Sequence, residues 1–336
     1  MTAPVPLSLG ILSTARIARS FVQGVAGSSK VAVRAVASRH QEKAEEFKAT
    51  LSLPRALGSY QALLEDPGIE AIYNPLPNGL HAAWSIKALE AGKHVLCEKP
   101  LAADAKEAAA MFAAARANGV HLVEGFPYLS QPQTLTMREL IDAGRIGTPR
   151  FIQASFAFTL KDPGNVRWDA KLAGGALMDI GVYPLSLIRV IAREKPARVL
   201  ASAIFTDSGV DRALSATLEF GSGLLGQLAC SFDGSLHRRA LIVGSDGLIE
   251  SSYLNHTSAE LPGHLRLREG HDSHAAERLI ETESMNGFRA EAESFATLIR
   301  TGRGWNGATE QESIDTMLTV DALLTSARER RPVELP

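Results

Sequence analysis

Strand-like apolar runs alternate with helix-periodic segments through the first 124 residues, and this alternation restricts the fold more than any other feature of the chain. Leu7–Leu12, Val31–Ala37 and His94–Cys97 have the composition of buried strands, whereas Arg16–Val25 repeats apolar residues at helical spacing. Strands separated by helices pair in parallel through right-handed crossovers, so the pattern predicts a doubly wound α/β sheet. Further helices are predicted at Gln41–Leu51, Gln61–Leu64, His81–Ala91 and Ala103–Ala117, and further strands at Glu70–Tyr73 and Val120–Glu124.

Beyond Glu124 the pattern changes to successive strands without intervening helices. This change predicts a C-terminal α/β domain built on a largely antiparallel open sheet. A boundary near Gly125 divides the chain into domains 1–124 and 125–336, which we expect to share a cleft. The predicted strands are Arg150–Thr159, Ala197–Thr206, Ala213–Phe220, Gly223–Ser231, Arg239–Gly244 and Leu248–Ser252, and the predicted helices are Thr134–Ala143, Gly175–Ile191, Gly287–Thr301 and Glu310–Arg330.

Composition and charge exclude several classes of protein. The chain carries 35 basic and 37 acidic side chains, so no net field attracts nucleic acid or an anionic membrane. No apolar run reaches the about 18 residues of a membrane span, and the N-terminal apolar segment is interpreted as the first strand. Cys97 and Cys230 lie far apart, which favours a reducing, cytoplasmic compartment and provides no CxxC metal motif. We therefore predict no metal site, no nucleic-acid partner and no membrane partner.

The turn after the first strand is a degenerate form of a nucleotide-binding fingerprint. Gly10 is followed by Ser13 and Ala15 at later glycine positions. Small residues still allow close approach to a pyrophosphate, and the N-terminus of the next helix offers N–H groups and a positive dipole end. The turn predicts dinucleotide binding, with a plain strand–helix unit as the alternative.

The end of the second strand indicates which dinucleotide is bound. NAD sites place an acidic residue there to hold the ribose hydroxyls, whereas this chain has Ser38 and Arg39, with Lys43 one helical turn further on. The planar donor fork of an arginine matches the oxygens of a 2′-phosphate, so NADP is favoured and NAD remains possible. Alternatively, Arg39 and Lys43 only begin a solvated helix face.

Two further strand ends and one helix carry candidate site residues. The strand His94–Cys97 delivers Glu98, Lys99 and Pro100 at its carboxyl end, where open parallel sheets bind ligands. The loop after Tyr73 is stiffened by two prolines, and His81 in it has a functional and a structural interpretation. Asp179 and Tyr183 are four residues apart and share a helix face, either as a structural pair or as site residues.

These motifs together resemble the Gfo/Idh/MocA oxidoreductase family, essentially over the whole chain. The resemblance rests on Gly10–Ala18, Pro75–His81, Glu98–Pro100 and Gly174–Tyr183. It is strongest to the NADP-dependent branch of D-xylose dehydrogenase, dihydrodiol dehydrogenase and glucose-fructose oxidoreductase. It implies an N-terminal Rossmann domain and a C-terminal domain whose open sheet face forms homodimers or homotetramers. The implied cofactor-binding residues are Gly10, Leu12, Ser13, Thr14, Ala15, Arg16, Ile17, Ser38, Arg39, Lys43, Pro75, Leu76, Asn78, His81, Glu98 and Lys99.

The resemblance also implies a reaction, in which hydride passes between nicotinamide and a C–OH or C=O group of a sugar or cyclic polyol. Lys99 contacts the substrate, and Tyr183, where many members have histidine, is the acid-base residue. A nearby ammonium favours the phenolate that this role requires. Asp179 orients the pair or anchors substrate, and Arg167 and Trp168 line the pocket. Alternative substrates are dihydrodiols, anhydro-sugars and inositols, and the alternative class is a non-catalytic nucleotide-sensing regulator.

Overall fold

The computed structural model describes residues 5–272 and 274–336; residues 1–4 of the predicted first domain lie outside this range. Up to Ser130, strands and helices alternate as the sequence predicts, with one additional strand, Arg55–Leu57, that was not predicted. The strands are β1 (Leu7–Leu12), β2 (Val31–Ala37), β3 (Arg55–Leu57), β4 (Ala71–Asn74), β5 (His94–Glu98) and β6 (Leu122–Gly125). The helices are α1 (Arg16–Val25), α2 (Gln41–Leu51), α3 (Tyr60–Leu64), α4 (His81–Glu90) and α5 (Ala105–Ala117), with 3₁₀ turns at Asn78–Leu80 and Pro127–Ser130.

Six of these described strands form one sheet in the order β3-β2-β1-β4-β5-β6, and every pair in it is parallel. Leu12 pairs with Ala37 at the ends of β1 and β2, and Asn74 pairs with Cys97 near the ends of β4 and β5. The chain therefore leaves these four strands at one edge of the sheet. The strand order reverses between β1 and β4, which is where doubly wound folds bind ligands.

The helices of this sheet form where apolar spacing and capping residues favour them. Along α1, Ala18, Phe21 and Val25 are buried on one face, and the Phe21 ring stacks on Tyr73 with centroids 3.8 Å apart. The alanine-rich helix α5 begins at an Asp104 cap that accepts a hydrogen bond from the Glu107 N–H at 2.7 Å. Both helices begin and end close to where the sequence predicts.

From Gln131 to Met285 the chain contains two helices and eight strands among the described residues. The helices are α6 (Pro132–Asp142) and α7 (Val182–Ala192). The strands are β7 (Pro149–Thr159), β8 (Pro196–Phe205), β9 (Asp211–Phe220), β10 (Leu225–Ser231), β11 (Asp233–Gly244), β12 (Gly247–Ser251), β13 (His264–Glu269) and β14 (Glu277–Glu281). Short 3₁₀ turns lie at Val166–Trp168 and Ala170–Leu172.

The last part of the chain adds helix α8 (Gly287–Thr301), helix α9 (Glu310–Glu329) and strand β15 (Val333–Glu334). In the second sheet the described strands follow the order β14-β13-β12-β11-β7-β10-β9-β8-β15. Its pairs are antiparallel except β7 with β10, which is parallel, so the predicted largely antiparallel sheet is confirmed. Strand β11 has an irregular register between Asp233 and His237.

The helix predicted over Gly175–Ile191 is not a single α-helix. Leu177–Gly181 form a π-helical turn, and the α-helix begins at Val182. Gly181 permits the close approach expected of it, because a Cβ there would lie 2.8 Å from the Cys230 sulfur on β10. The segment Ala170–Ala192 is long and apolar enough to cross a membrane by composition, but 89% of its most apolar window is buried inside the protein.

The chain divides into two compact units, and the division differs from the predicted boundary at 124/125. The first unit extends to Ser130 and also contains Asn286–Glu310, while the second contains Gln131–Met285 and the residues after Glu310. Helix α8 joins the first unit because Phe288 and Phe295 are buried in the same apolar core as Phe21. A domain boundary predicted from local sequence patterns cannot reveal that a later segment of the chain packs back onto the first unit.

The buried carboxyl group of Glu291 on α8 gives the first unit a pH-dependent stability. Burial, aided by the charges of Glu98 and Glu124, raises the pKa of Glu291 well above its usual value. A raised folded pKa costs stability progressively as pH rises above the unfolded value. We therefore expect Glu291→Gln to raise the melting temperature at pH 7.5 by a few degrees, with a gain that disappears below about pH 4.5.

Glu293 on the same helix provides the matched control. Hydrogen bonds from Arg289 and Ser28 outweigh its partial burial, and its pKa is lowered. A lowered folded pKa contributes stability above the unfolded value, so Glu293→Gln is expected to lower the melting temperature at pH 7.5. Thermal melts of the two variants from pH 4 to 8 measure the difference. Shifts of the same sign at pH 7.5 would contradict this account.

Candidate active site

The first unit presents the turn after β1 in a strained conformation that keeps the backbone close to the sheet edge. Ser13 has φ +79°, and its N–H donates to the Ala37 carbonyl at 2.8 Å. No side chain among the described residues caps α1, and its first turn carries no acidic residue. Its N-terminal N–H groups are thus available to an anion. A Cβ at Gly10 would lie 2.8 Å from the Leu63 side chain, so packing within the unit also requires a glycine at this position.

At the end of β2 the structure places a hydroxyl and a cation side by side. The Ser38 N–H donates to Leu57 at 3.0 Å, and its hydroxyl accepts from the His40 N–H at 3.3 Å. Arg39 is exposed and hydrogen-bonds the Tyr60 hydroxyl; burial nevertheless raises the pKa of Tyr60. Lys43 is exposed on α2, one turn further on.

The loop after β4 is held by buried polar side chains. The Asn74 amide donates to the Ser85 hydroxyl at 2.9 Å and accepts from the Leu76 N–H at 3.2 Å. His81 is fully buried, with ring nitrogens 2.6 Å from the Leu76 carbonyl and 2.8 Å from the Pro100 carbonyl. Burial lowers the pKa of His81 to about 4, although the two carbonyl oxygens favour the protonated ring and oppose this shift. His81 therefore ties this loop to the turn that follows β5. Its imidazole has no exposed surface for direct cofactor contact.

The turn after β5 carries Lys99 at the same edge. Glu98 is buried and accepts a hydrogen bond from the Tyr73 hydroxyl at 2.5 Å. Lys99 is half-buried, and the Lys99–Pro100 peptide is cis. The N–H of Leu101 donates to the Glu124 carboxylate at 2.9 Å, which fixes the chain beyond the turn. The buried Glu98 thus holds the turn on its inner side, and the turn places the Lys99 side chain at the edge of the sheet.

In the second unit Arg167 and Asp179 form a close ion pair. The Arg167 Nε donates to the Asp179 Oδ2 at 2.5 Å, and Asn165 accepts from the Arg167 guanidinium at 3.3 Å. Burial opposes the charge of Arg167, but the carboxylate of Asp179 and the phenol of Tyr183 outweigh it and raise the pKa of Arg167. Arg167, on the 3₁₀ turn Val166–Trp168, therefore lies close to Asp179 on the π turn and to Tyr183 in the first turn of α7.

Tyr183 lies in an aromatic and polar environment that the sequence did not reveal. Its hydroxyl accepts a hydrogen bond from the Asn255 amide at 3.1 Å, and its ring packs edge-on against Phe156 with centroids 5.7 Å apart. The guanidinium of Arg238 lies 4.6 Å from the centre of the tyrosine ring. These partners are separated from Tyr183 by tens of residues, and no local motif marks them.

Trp168 has a structural role that the sequence left open. Its indole N–H donates to the Asp162 carbonyl at 3.0 Å, and its ring packs edge-on against Phe232 with centroids 5.2 Å apart. It also lines an open cavity of about 430 Å³ together with Asn165 and Ser208. Both interactions fix the loop that carries Arg167.

The start of the π turn is capped by a buried acid. Asp211 accepts a hydrogen bond from the Leu177 N–H at 2.7 Å, and burial raises the pKa of Asp211 to about 6. Gly175 makes this contact possible: it has φ +118°, and a Cβ there would lie 2.2 Å from the Asp211 carboxylate. The glycine and the acid together position the segment that carries Asp179 and Tyr183.

Comparison with known proteins supports the oxidoreductase interpretation for both units. Residues 7–126 match the family model of an oxidoreductase family with an NAD-binding Rossmann fold, and residues 134–250 match the GFO/IDH/MocA C-terminal domain. The NADP-dependent D-xylose 1-dehydrogenase 2 of Haloferax volcanii is 36% identical over 334 residues, covering 98% of this chain and all of that protein. The mouse trans-1,2-dihydrobenzene-1,2-diol dehydrogenase is 35% identical over 248 residues, covering 73% of this chain and 74% of that protein.

A solved structure agrees over the same length. The 3-ketoreductase of Actinomadura kijaniata, in complex with NADP and TDP-benzene, matches with a TM-score of 0.86 and 30% identity, covering 96% of this chain and 98% of that chain. Variants of it with one lysine replaced by alanine or one tyrosine replaced by phenylalanine match with TM-scores of 0.83 and 0.86. This chain belongs to the Gfo/Idh/MocA family of oxidoreductases. The predicted family, fold class and NAD(P)-dependent enzyme class are thereby confirmed.

The residues of the first unit fit an NAD(P) cofactor. The strained turn at Ser13 and the uncapped start of α1 provide backbone donors for a pyrophosphate. The end of β2 provides Ser38 and Arg39, a hydroxyl and a guanidinium, where an NAD-specific site would carry a carboxylate. Both donor sets lie at the carboxyl edge of the sheet, at the ends of the neighbouring strands β1 and β2.

Replacing Gly175 tests how tightly the start of the π turn is held. Gly175→Ala adds backbone strain at φ +118° and a clash with Asp211, and we expect a loss of about 2–4 kcal/mol in the free energy of unfolding. Gly209 is the control, because it has φ +86° with open space around its Cβ position. Gly209→Ala should cost about 1 kcal/mol from the backbone alone. Equal losses in urea unfolding would show that the Asp211 contact does not constrain Gly175.

Proposed function

We propose that this protein is an NADP-dependent dehydrogenase that oxidises a hydroxyl group of a sugar or cyclic polyol, in the manner of a D-xylose (aldose) 1-dehydrogenase. The observation that carries this proposal is the similarity to the Haloferax volcanii enzyme over nearly the whole of both chains. The similarity to dihydrodiol dehydrogenases over about three quarters of the chain makes a trans-dihydrodiol the second candidate substrate. Anhydro-sugars and inositols also belong to the proposed class of sugars and cyclic polyols.

Lys99 and Tyr183 are proposed to act on the same substrate hydroxyl, with Tyr183 as the base. Tyr183 accepts the hydroxyl proton on its phenolate oxygen, and the Lys99 ammonium donates a hydrogen bond to the substrate oxygen. When bound, nicotinamide supplies the hydride acceptor for the carbinol carbon. The substrate thereby loses one proton and one hydride and becomes a carbonyl compound. In the Actinomadura 3-ketoreductase, the lysine and the tyrosine that were replaced are separated by the same number of residues as Lys99 and Tyr183.

Asp179 and Arg167 are proposed to orient this centre and to bind further substrate hydroxyls. Because Nε bonds the Asp179 carboxylate and Nη1 bonds Asn165, Nη2 is the guanidinium nitrogen proposed to bind a sugar oxygen. Trp168 is proposed to form part of the wall of the substrate pocket, supported by its position next to Arg167.

Three further features of the protein are proposed from the same set of observations. The Rossmann unit binds the cofactor with Gly10, Leu12, Ser13, Thr14, Ala15, Arg16, Ile17, Ser38, Arg39, Lys43, Pro75, Leu76, Asn78 and Lys99, whereas the buried side chains of His81 and Glu98 hold the turns that carry these residues. The protein forms homodimers or homotetramers through the open face of the second sheet, which exposes Leu200, Ile204 and Leu225 on one side. It acts in the cytoplasm, in keeping with two buried free thiols.

The reaction is tested with purified protein, NADP and a panel of D-xylose, other aldoses, cyclic polyols and trans-dihydrodiols. We expect Lys99→Met and Tyr183→Phe to lower kcat by about 10²–10⁴-fold on the best substrate, because each removes a group used in proton transfer. The dissociation constant for NADPH, measured by fluorescence, should change little in Tyr183→Phe. Turnover of the wild type on no sugar, polyol or diol, or full turnover of Lys99→Met, would contradict the proposal.

Cofactor preference is tested at Arg39. Arg39→Ala removes the donor fork proposed for the 2′-phosphate, and we expect the KM for NADP to rise about 10–100-fold while the KM for NAD changes little. Lys48→Ala on the exposed face of α2 serves as the control, since its ion pair with Glu45 is local to the helix. Steady-state kinetics with both cofactors give the ratio. A wild type with higher kcat/KM for NAD than for NADP would reject the role of Arg39.

A further inference from the structure

Arg238 on β11 lies among three aromatic rings, one of which is Tyr183. Its guanidinium carbon is 4.6 Å from the ring centres of Tyr183 and Tyr253 and 4.7 Å from that of Phe156. Its Nε and Nη2 atoms are inaccessible to solvent. A guanidinium in such a position is attracted by the negative faces of the rings, and the attraction is stronger where water is excluded. The charge of Arg238 is thus fixed against the ring of the proposed base.

The strand register explains why this arginine reaches Tyr183. Arg238 is directly opposite Phe156 in the antiparallel pair β7–β11, so both side chains project from the same face of the sheet. The irregular register between Asp233 and His237 precedes this pair, and bulged strands commonly redirect a side chain in this way. The next residue, Arg239, projects from the opposite face, where it is largely exposed and pairs with Glu250.

Several titratable groups lie on the elements packed around Tyr183. Arg167 and Asp179 lie before α7 and carry opposite charges. From the segment after β12, burial lowers the pKa of His256 to about 4 and raises the pKa of Tyr253, so both are neutral at physiological pH. On β10, burial raises the pKa of the Cys230 thiol well above its usual value, and this group is also neutral.

We propose that Arg238 is a positioning residue for Tyr183, which holds the phenol ring against Phe156 and stabilises the phenolate that accepts the substrate proton. This inference rests on the proposed function, since it concerns how the same acid-base residue is made effective. A fixed positive charge within a few ångströms favours the ionised form of a phenol, which otherwise loses its proton only near pH 10. Together with Arg167, Arg238 brings positive charge to Tyr183 from within its own unit.

The pH dependence of turnover provides the test. In Arg238→Met the acidic limb of the kcat/KM profile for alcohol oxidation is expected to move up by about one pH unit, with an about 10-fold lower kcat/KM at neutral pH. Arg238→Lys retains the positive charge, so its pH profile should lie close to that of the wild type. Where Arg238→Met does not fold, Arg238→Gln removes the charge while keeping a polar side chain of similar reach. The matched control is Arg239→Met, whose profile should equal that of the wild type.

A titration that does not depend on activity separates this inference from the proposed function. The absorbance of the protein is titrated to alkaline pH with and without the Tyr183→Phe substitution, and the part of the change that this substitution removes reports the ionisation of Tyr183. The same difference is measured in the wild-type and Arg238→Met backgrounds. We expect this change at higher pH without Arg238. An unshifted titration and an unshifted rate profile would overturn the role of Arg238, even if Tyr183→Phe is inactive. Full activity of Tyr183→Phe would instead reject the proposed function, while the titration would still decide how Arg238 affects the phenol.

Discussion

Parallel pairing of the strands in the first sheet is the constraint on which the cofactor site depends. Because β1, β2, β4 and β5 are paired in the same direction, their carboxyl ends meet at one edge, and the following turns are brought together there. A one-residue change of register would move the side chains of a whole strand to the other face of the sheet. The buried apolar residues of β1 therefore determine where Ser13 lies relative to the ends of the neighbouring strands.

The turns at that edge are held from inside the unit by polar groups. Asn74 and His81 fix the loop after β4, and the bond of His81 to the Pro100 carbonyl joins that loop to the turn carrying Lys99. Glu98 and Tyr73 form a buried pair below the same turn. Buried polar groups are costly unless they are paired, so these bonds stabilise one arrangement of the loops over others. Lys99 is held in a defined position because the residues on either side of it, Glu98 and Pro100, are hydrogen-bonded to Tyr73 and His81.

The second unit uses a different device to position its residues. An ion pair between Arg167 and Asp179, the Asp211 cap and a π turn all fall within or beside the apolar segment that leads into α7. The side chain of Asp179 is 10% exposed and that of Arg167 40% exposed, so loss of Arg167 would leave a nearly buried carboxylate without compensation, and this favours the paired geometry. π turns are found often at functional sites, where they displace a side chain from the regular helical face.

Local pattern in the sequence was sufficient for elements with long apolar periodicity. The bounds of β1, α1, β2, α2 and α8 agree with the predicted ones to the residue. Strands β3, β13, β14 and β15 were not predicted, since they are short or carry charged residues at alternate positions, as in β13 with Arg266 and Arg268. Lys99, Asp179 and Tyr183 were identified from motifs, but Arg238 and Asn255 were not. Their contacts with Tyr183 depend on the register of the second sheet and on the path of the chain. Local periodicity in the sequence carries no information on either.

The return of α8 to the first unit has a consequence for biosynthesis. The ribosome makes residues in chain order, so residues 131–285 are synthesised before Phe288 and Phe295. Only then can these two side chains cover the core around Phe21. Until then an apolar surface meant for the interior faces the cellular environment. The second unit is completed later still, because α9 and β15 belong to it and are made after α8, so each unit depends on a segment from the last part of the chain to finish its packing.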